Sequence, residues 1–482
     1  MNRIVGLETE YGCLSSDPAG PPAAVARVRN WMFEQNRFGL ADMHQRDWDE
    51  PAGNGGFLFN GGRCYVDMGH LEICTPECLT LRDLLRFDRA GDDLITSATR
   101  ELGLTEQVSF VRNNLDYHSG ATFGCHENYL VRRGAPLNEA NVQSLLAFLT
   151  LRVLYAGAGR VRSTPGAESR GDIIKLTADS DFQISQRADY INNDLFEWVQ
   201  FNRAIINTRD EPLADPRRFR RLHLIHGDTS VLPATLALKC GTASLVLDLL
   251  EIDKLPQVAL ADAVYAFRTL SHQPDGPWLV PLTDGRPVPA VEVLRWFYAA
   301  AEQEFRGRDT ETDILLGIWD RVLTDLETNV ENLVGLVDWV TKRWLYRQFI
   351  EQEGLAWTAP WLQAQDLEFH AVDPARSLAW PLAQTPLPWR ISAEEQCVAL
   401  LKPPADTRAA ARSRVMRLLA GQDFRYFVDW EVMEADGAES LQLLNPFSPE
   451  APEAEAWLNR IQSQRARQSH DDVHQAPGRF EA

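Results

Sequence analysis

The stretch that decides the fold runs from Asn60 to Glu77 and reads NGGRCYVDMGHLEICTPE. Its opening Asn-Gly-Gly signals a turn. Residues 63–67 then alternate in polarity and include an aromatic and a β-branched residue, which is typical of a β-strand. Because successive side chains of a strand point to opposite faces, Arg63, Tyr65 and Asp67 share one face at intervals of about 6.6 Å. The stretch therefore predicts a strand with one strongly polar face.

Two interpretations of this face are open. Polar groups on an exposed strand simply meet water, whereas buried ones need partners, and a metal-bound phosphate ligand supplies them. Glu72 and Thr75 follow just past the predicted strand, where the chain can fold back towards the same face. We hypothesise that the stretch forms the centre of a Mg-nucleotide site with Asp67 as its chemical residue. On spacing alone, a water-facing strand fits equally well.

A second acidic pattern lies near the start of the chain. Residues 3–12 predict a strand on which Glu8 and Glu10 share a face. Two carboxylates on one face repel each other unless solvent or a cation separates them, and Mg²⁺ prefers oxygen ligands of this kind. An exposed strand face fits an isolated Glu-x-Glu at least as well, so the pattern alone leaves both interpretations open.

The composition is that of an ordinary globular protein with an acidic charge balance. The 482 residues carry 68 acidic and 48 basic side chains, a formal net charge of −20, which argues against nucleic acid or an anionic membrane as the main partner. The seven cysteines are scattered without a CxxC pair, as expected for reduced thiols. We find no apolar run long enough to span a bilayer and no signal peptide. We therefore expect a cytoplasmic protein.

The remaining segments predict a mixture of helices and strands. Helical periodicity is found at residues 23–34, 79–102, 140–157, 231–251, 259–271, 290–304, 310–327, 331–352 and 407–419. Strand character is found at residues 108–114, 120–131, 424–432 and 441–444. The Gly-, Asp- and Pro-rich segment 47–56 predicts a mobile loop beside the site. The basic cluster at 217–221 fits either a solvated face or a cradle for an anionic ligand.

The chain divides into a large and a small predicted domain. A Pro-rich stretch at 380–389 precedes a boundary near residue 393, which gives a catalytic domain at 1–392 and a small C-terminal domain at 393–465. Residues 466–482 are polar and are predicted to be a disordered tail. The sequence contains no Walker loop and no GxGxxG, GxSxG or HExxH motif, so several common enzyme classes are excluded.

Ten segments, in order along the chain, resemble one family. They are GLETEYG, NGGRCYVDMGHLEICTPE, GATFGCHENYLV, ISQRADYI, IINTRDEPLAD, RRLHLIHGD, VDWVTKR, DLEFH, PPADTRA and FVDW, from Gly6 to Trp430. The family is that of the Pup–protein ligase and the depupylase (Pup deamidase), relatives of glutamine synthetase and other carboxylate-amine ligases. A resemblance of this extent is highly specific, and it favours the nucleotide-site interpretation of the polar face.

The resemblance implies a fold and a set of site residues. The fold class is α+β, with a glutamine-synthetase-like curved antiparallel sheet cradle flanked by helices and a small C-terminal domain. By position in the family's motifs, Asp67 matches the catalytic aspartate, Glu8, Tyr65 and Glu72 match magnesium positions, and Arg63, Thr75 and Trp430 match ATP-contacting positions. Further motif residues, for which metal or phosphate binding is a weaker inference, are Glu10, His126, Arg187, Arg209 and His223.

The resemblance also implies an activity that depends on ATP and Mg²⁺. A ligase of this family joins the side-chain carboxylate of the C-terminal glutamate of a Pup-like protein modifier to target lysines, which marks the targets for proteasome-system components. The segments GLETEYG, TPEC and GCHENYLV resemble the ligase more, and they favour it. FQISQRADYI resembles the depupylase more, which hydrolyses the same bond, and the spacing between Asp67 and Glu72 is one residue shorter than in a typical ligase. A small-molecule carboxylate-amine ligase remains a further alternative.

Overall fold

In the computed structural model of the chain, the described residues are 1, 3–46, 50–117, 119–161, 181–197, 203–422, 425–435 and 439–463. The strands are β1 (Val5–Ser15), β2 (Gly39–Ala41), β3 (Gly55–Leu58), β4 (Arg63–Asp67), β5 (His70–Cys74), β6 (Val108–Val111), β7 (Cys125–Arg132), β8 (Arg160–Val161), β9 (Phe182–Gln183), β10 (Asn193–Phe196), β11 (Ala204–Asn207), β12 (Phe219–Leu224), β13 (Leu279–Pro281), β14 (Pro287–Pro289), β15 (Tyr426–Val428), β16 (Val432–Ala435) and β17 (Leu441–Gln442).

The helices follow in the same chain order. They are α1 (Gly20–Phe33), α2 (Leu81–Glu101), α3 (Glu139–Leu151), α4 (Val153–Ala156), α5 (Pro233–Glu251), α6 (Ala263–Ser271), α7 (Ala290–Phe305), α8 (Thr310–Thr328), α9 (Asp338–Glu353), α10 (Pro360–Phe369), α11 (Ala393–Ala399) and α12 (Arg408–Ala420).

A ten-stranded sheet organises the molecule. Its strand order is β10-β11-β12-β7-β1-β5-β4-β3-β2, and β6 pairs with the far half of β1. Every pairing in it is antiparallel except β10 with β11. The long strand β1 therefore lies at the centre and joins the two halves. The predicted α+β class with a mainly antiparallel sheet is confirmed.

The predicted strand at 63–67 is β4, and a tight hairpin joins it to β5. Met68 and Gly69 have φ values of 44° and 93°, as a two-residue hairpin loop with two positive-φ positions requires. Glu72 lies in β5 directly opposite Tyr65, so the chain folds back towards the same face after the first strand, as expected.

Two glycines on the other side of β4 correct the end of a predicted loop. The segment 47–56 was expected to be a mobile loop, but Gly55 and Gly56 begin β3 and pair with β4. A Cβ atom on Gly55 would lie 2.2 Å from the carbonyl oxygen of Cys64, so the glycine permits close packing of strands and not mobility. Residues 47–49 lie outside the described part of the chain.

One face of the sheet is covered by helices. Along β1, buried and half-buried residues alternate, with Val5, Leu7 and Tyr11 on the helix side. The helices α2, α3 and α5 contribute much of the large core that contacts this face. By length and composition α5 alone among the described helices could cross a membrane, but 94% of its apolar window is buried inside the protein. A helix buried to this extent is typical of a protein core.

Most other predicted elements are confirmed with shifted ends. The predicted helix at 331–352 begins only at Asp338, because Gly335 takes φ 84° and interrupts it. The predicted strand at 424–432 is instead a hairpin of β15 and β16, since the chain turns at residues 429–431. The predicted helix at 140–157 is divided into α3 and α4. All seven cysteines are free, as expected for reduced thiols.

The C-terminal segment packs against one end of the sheet. Helix α11 begins at Ala393, close to the proposed boundary, and α12 and β15–β17 share a small core with Leu40, Phe57 and Phe59. This shared core fixes the segment beside β2 and β3. The exact domain division remains a prediction, and the predicted tail at 466–482 lies outside the described residues.

Candidate active site

The strand register arranges the polar face of the sheet in rows. Directly paired residues of neighbouring strands share a face, and successive rows lie about 6.7 Å apart. Following the pairings across β4, β5, β1 and β7, the first row is Arg63, Cys74, Glu8 and His126, the second is Tyr65, Glu72 and Glu10, and the third is Asp67 and His70. The acidic strand at the start of the chain and the stretch at 60–77 therefore form one face.

Glu8 is the centre of the first cluster. Its carboxylate lies 3.1 Å from Nδ1 of His126 and 3.6 Å from Nε2 of His223, and it accepts a hydrogen bond of 2.9 Å from the Asn128 side chain. Burial alone would raise the pKa of Glu8, but the two histidines hold it well below its usual value. Glu8 is therefore an anion that contacts three side-chain nitrogen atoms.

His223 has the properties of a free metal ligand. It is only 8% exposed, yet neither ring nitrogen has a hydrogen-bond partner among the described residues. Burial lowers the pKa of His223 to about 4, against the opposing effect of Glu8, so the ring is neutral at pH 7. Candidate ligand atoms of Glu8, His126 and His223 all lie within 4.8 Å of one another. A carboxylate with two neutral imidazoles suits a divalent cation.

The second cluster consists of three carboxylates. Ligand atoms of Glu10, Asp67 and Glu72 also lie within 4.8 Å of one another. Glu72 is 2% exposed, and Tyr65 donates a hydrogen bond of 2.7 Å to its Oε1. Burial, followed by repulsion from Glu8, Glu10 and Asp67, raises the pKa of Glu72 well above its usual value. Such crowding disfavours ionised carboxylates unless a cation neutralises them, and oxygen-rich sets suit Mg²⁺.

Asp67 lies in the third and last row, at the hairpin end of the face. It is half-buried and is followed by Met68, whose side chain is 72% exposed at the hairpin tip. The ring of its hairpin partner His70 lies 4.4 Å from the ring of Phe123, edge to face. Asp67 is therefore the member of the carboxylate cluster that lies next to the exposed hairpin tip.

The other end of the face carries the residues expected to contact the nucleotide. Arg63 pairs with Glu50, and its guanidinium lies 4.3 Å from the centre of the Tyr65 ring. Trp430 lies 5.1 Å from Phe57, whose ring is also 5.9 Å from Arg63. An aromatic and cationic wall of this kind suits a nucleotide base and its phosphates.

Thr75 and the basic motif residues lie in different surroundings. The Thr75 hydroxyl accepts the backbone N–H of Leu7 at 3.0 Å, so the structure shows a strand-joining contact, and the nucleotide contact stays a prediction. Arg209 pairs with Glu211 near the surface. The buried Arg187 donates to the carbonyl oxygens of residues 123 and 225.

The basic cluster at 217–221 is not one surface. Arg217 is exposed and pairs with Asp215, whereas Arg220 donates to a backbone carbonyl. Arg221 is directed to the site, 3.8 Å from Glu8. Strand alternation separates neighbouring arginines, which composition alone does not reveal.

The sequence alone assigned no role to Asn128 or Arg203 near this face, and it indicated Arg221 only as a member of the basic cluster at 217–221. Asn128 and Arg221 reach Glu8, and Arg203 donates to the carbonyl oxygen of Thr122 at 2.9 Å. Each residue is ordinary in its local context and becomes notable only through strand pairing. An alternation of polar residues along β7 and β12 was the one signal that could have indicated Asn128 and Arg221.

The mainly antiparallel sheet, with one polar face and helices on the other, defines a fold of the α+β class. The chain belongs to the Pup-ligase protein family, whose model matches residues 3–434. The depupylase of Acidothermus cellulolyticus is 33% identical over 489 aligned residues, which cover 93% of this chain and 94% of the relative. Both the fold class and the family resemblance are thus confirmed.

Two solved structures are similar over most of their length. One is the complex between the prokaryotic ubiquitin-like protein Pup and its ligase PafA, with a TM-score of 0.80 and 29% identity over 99% of this chain and 96% of that chain. The other is the Pup ligase PafA in complex with ADP, with a TM-score of 0.76 and 30% identity over 86% of this chain and 91% of that chain.

Proposed function

We propose that the protein is an ATP- and Mg²⁺-dependent isopeptide ligase. It joins the γ-carboxylate of the C-terminal glutamate of a Pup-like modifier to lysines of target proteins, which marks them for proteasome-system components. The observation that carries this proposal is the clustering of Asp67 with Glu10 and Glu72 on the face that also bears Glu8. Family membership and the ADP complex of a relative support it.

The donor set fits a divalent cation on this face. Glu8, His126 and His223 form one candidate ligand group, and Glu10 and Glu72 belong to the other. When bound, Mg²⁺ would neutralise the phosphates of ATP and the crowded carboxylates. The chain itself supplies Tyr65, whose hydroxyl donates a hydrogen bond to the Glu72 carboxylate and so orients it.

The first chemical step activates a poor electrophile. The γ-carboxylate of the modifier attacks the γ-phosphorus of ATP, an acyl phosphate forms and ADP leaves. Arg63 and Trp430 would hold the nucleotide at the first row, so that its phosphates extend towards the second row. Arg221, 3.8 Å from Glu8, adds positive charge near the phosphates, where charge accumulates in phosphoryl transfer.

The second step makes the isopeptide bond. A lysine has an unperturbed pKa near 10.4 and must lose a proton before it attacks. Asp67, at the hairpin end of the face, would accept that proton as general base. The amine then attacks the acyl carbon and phosphate leaves, so the bond formed is the amide and the bond broken is the acyl phosphate.

A second candidate function uses the same residues in hydrolysis. The 33% identity with a depupylase over 93% of the chain supports hydrolysis as this second candidate. In that reaction Asp67 would attack the isopeptide carbonyl or activate water, and ATP would act as a cofactor that is not consumed.

Incubation with a Pup-like protein ending in glutamate, a lysine-bearing target, ATP and Mg²⁺ separates the two candidates. The ligase forms a conjugate, detected by mass spectrometry as the loss of one water, with one ADP released per bond. Loss of a preformed conjugate without net ATP consumption would overturn ligation in favour of hydrolysis. Conjugation of free amino acids in place of the modifier would instead indicate a small-molecule ligase.

A further inference from the structure

Two arginines hold the backbone beside the third row of the polar face. Arg203 donates to the carbonyl oxygen of Thr122 at 2.9 Å, and Arg187 donates to that of Phe123 and, at 3.0 Å, to that of Ile225. Because their acceptors are consecutive residues, the two guanidinium groups are neighbours. Each is anchored by neutral carbonyl oxygens and not by a carboxylate.

Their charges are only partly compensated within the part of the chain that the structure describes. Glu10 raises the pKa of both arginines and Asp228 raises that of Arg187, but neither guanidinium forms an ion pair of 4.0 Å or less with a described carboxylate. Arg187 is only 2% exposed and its Nε has no partner among the described residues. Burial, and next the charge of Arg203, lower the pKa of Arg187 to about 10. Two neighbouring guanidinium groups, one buried and one half-buried, repel each other, and a bound anion would relieve that repulsion.

The pair lies at the reacting end of the site. The backbone N–H of Glu10 donates to the carbonyl oxygen of Gly124, which places Gly124 at the second row, so residue 122 lies level with the third. Phe123 contacts His70, the hairpin partner of Asp67. The expected nucleotide wall of Arg63 and Trp430 is at the opposite end. This arginine pair is therefore better placed to contact the substrate that is not the nucleotide than to bind the phosphates of ATP.

The other substrate, under the proposed function, carries two carboxylates on one residue. The γ-carboxylate of the modifier's terminal glutamate must reach the second and third rows, and its α-carboxylate lies only a few bonds away. We infer that Arg203, with Arg187 behind it, binds this terminal α-carboxylate and so restricts the reaction to a glutamate at the chain end. A half-buried guanidinium with unused N–H groups suits a carboxylate, which it can bind through two parallel hydrogen bonds.

This inference rests on the proposed function for the identity of the substrate, and equilibrium binding tests it without requiring turnover. A Pup-like modifier ending in glutamate is prepared with either a free α-carboxylate or an α-carboxamide, and its affinity is measured by fluorescence anisotropy with ADP and Mg²⁺. The wild type should bind the free acid about 10- to 100-fold more tightly, the range expected for a charge-assisted pair. Arg203→Gln should lower affinity for the free acid and bind both forms equally.

Control variants separate recognition from folding. Arg203→Lys keeps the charge and should retain part of the discrimination, while Arg286→Gln, an exposed arginine paired with Asp284, should behave as wild type. Equal binding of acid and amide by the wild type would overturn the inference even if conjugates form. The inference would also be overturned if Arg203→Gln still bound the free acid more tightly than the amide. If Arg203→Gln lost affinity only for ADP, the arginine pair would instead be assigned to phosphate binding. Discrimination without conjugation would support the carboxylate site and refute the ligase.

Discussion

Arg412 joins the C-terminal segment to the catalytic sheet through Glu77. Its two terminal nitrogens donate to the Glu77 carboxylate at 2.9 and 2.7 Å, and its guanidinium lies 4.9 Å from the centre of the Trp430 ring. Arg408 donates to the same carboxylate at 2.6 Å. Glu77 lies three residues after the end of β5, which carries Glu72. The buried ion pairs of Glu77 therefore link the polar face of the sheet to the tryptophan expected to contact ATP.

Removing the charge of Glu77 should destabilise this connection. In Glu77→Gln, Arg408 and Arg412 remain buried without a carboxylate, and breaking a buried pair from one side typically costs about 3–5 kcal/mol. Chemical denaturation should show that loss, and ADP affinity should fall because Trp430 loses a fixed support. Glu302→Gln, at a solvent-exposed pair with Arg306, should change stability by less than about 1 kcal/mol. If the free energy of unfolding of Glu77→Gln equals that of the wild type, the buried ion pairs make no net contribution to stability.

The same carboxylate predicts an acid-sensitive contribution to stability. Burial opposes ionisation, but Arg412 and Arg408 lower the pKa of Glu77 from 4.5 to about 2. Because the folded-state pKa is below the unfolded one, the contribution is complete above about pH 4.5 and is lost as the pH falls towards 2, an amount on the order of 3 kcal/mol. The difference in unfolding free energy between wild type and Glu77→Gln should therefore shrink from pH 6 to pH 3. A constant difference across this range would contradict the assignment.

Asp67 should be required for chemistry and dispensable for nucleotide binding. Asp67→Asn keeps the size of the side chain and removes the base, so we expect conjugation to fall about 10²- to 10⁴-fold. Affinity for ADP, measured by calorimetry, should stay within a few fold because the nucleotide wall lies at the other end of the face. The exposed Asp284→Asn serves as the matched control. An active Asp67→Asn enzyme would remove Asp67 from the mechanism.

Glu72 should matter to the metal and not to the metal-free fold. Gln at this position can still accept the Tyr65 hydrogen bond and removes a crowded charge, so the apo protein should lose at most about 0.5 kcal/mol. The stabilisation produced by Mg²⁺ with ADP, about 2.7 kcal/mol at a hundredfold excess over Kd, should largely disappear. Thermal melts with and without Mg²⁺ measure both quantities. Full Mg²⁺ stabilisation of Glu72→Gln would exclude this residue as a ligand.

The period-two pattern of residues 63–67 was sufficient to place Arg63, Tyr65 and Asp67 on one face, and that placement is confirmed. The pattern at residues 3–12 likewise placed Glu8 and Glu10 together. Both predictions depend only on the local geometry of a strand, which each segment carries in its own backbone. The family motifs added the fold class, because a set of ten ordered segments is specific even where each segment is not.

Tertiary structure decided which of these local faces meet. Pairing β1 with β5 sets Glu10 opposite Glu72, although the residues are 62 positions apart, and no local property fixes that register. The same holds for Arg203 beside the third row and for Glu77 between two arginines of α12. A sequence determines the direction of a side chain through its own strand, but the neighbours of that side chain follow from long-range packing that buries the opposite face.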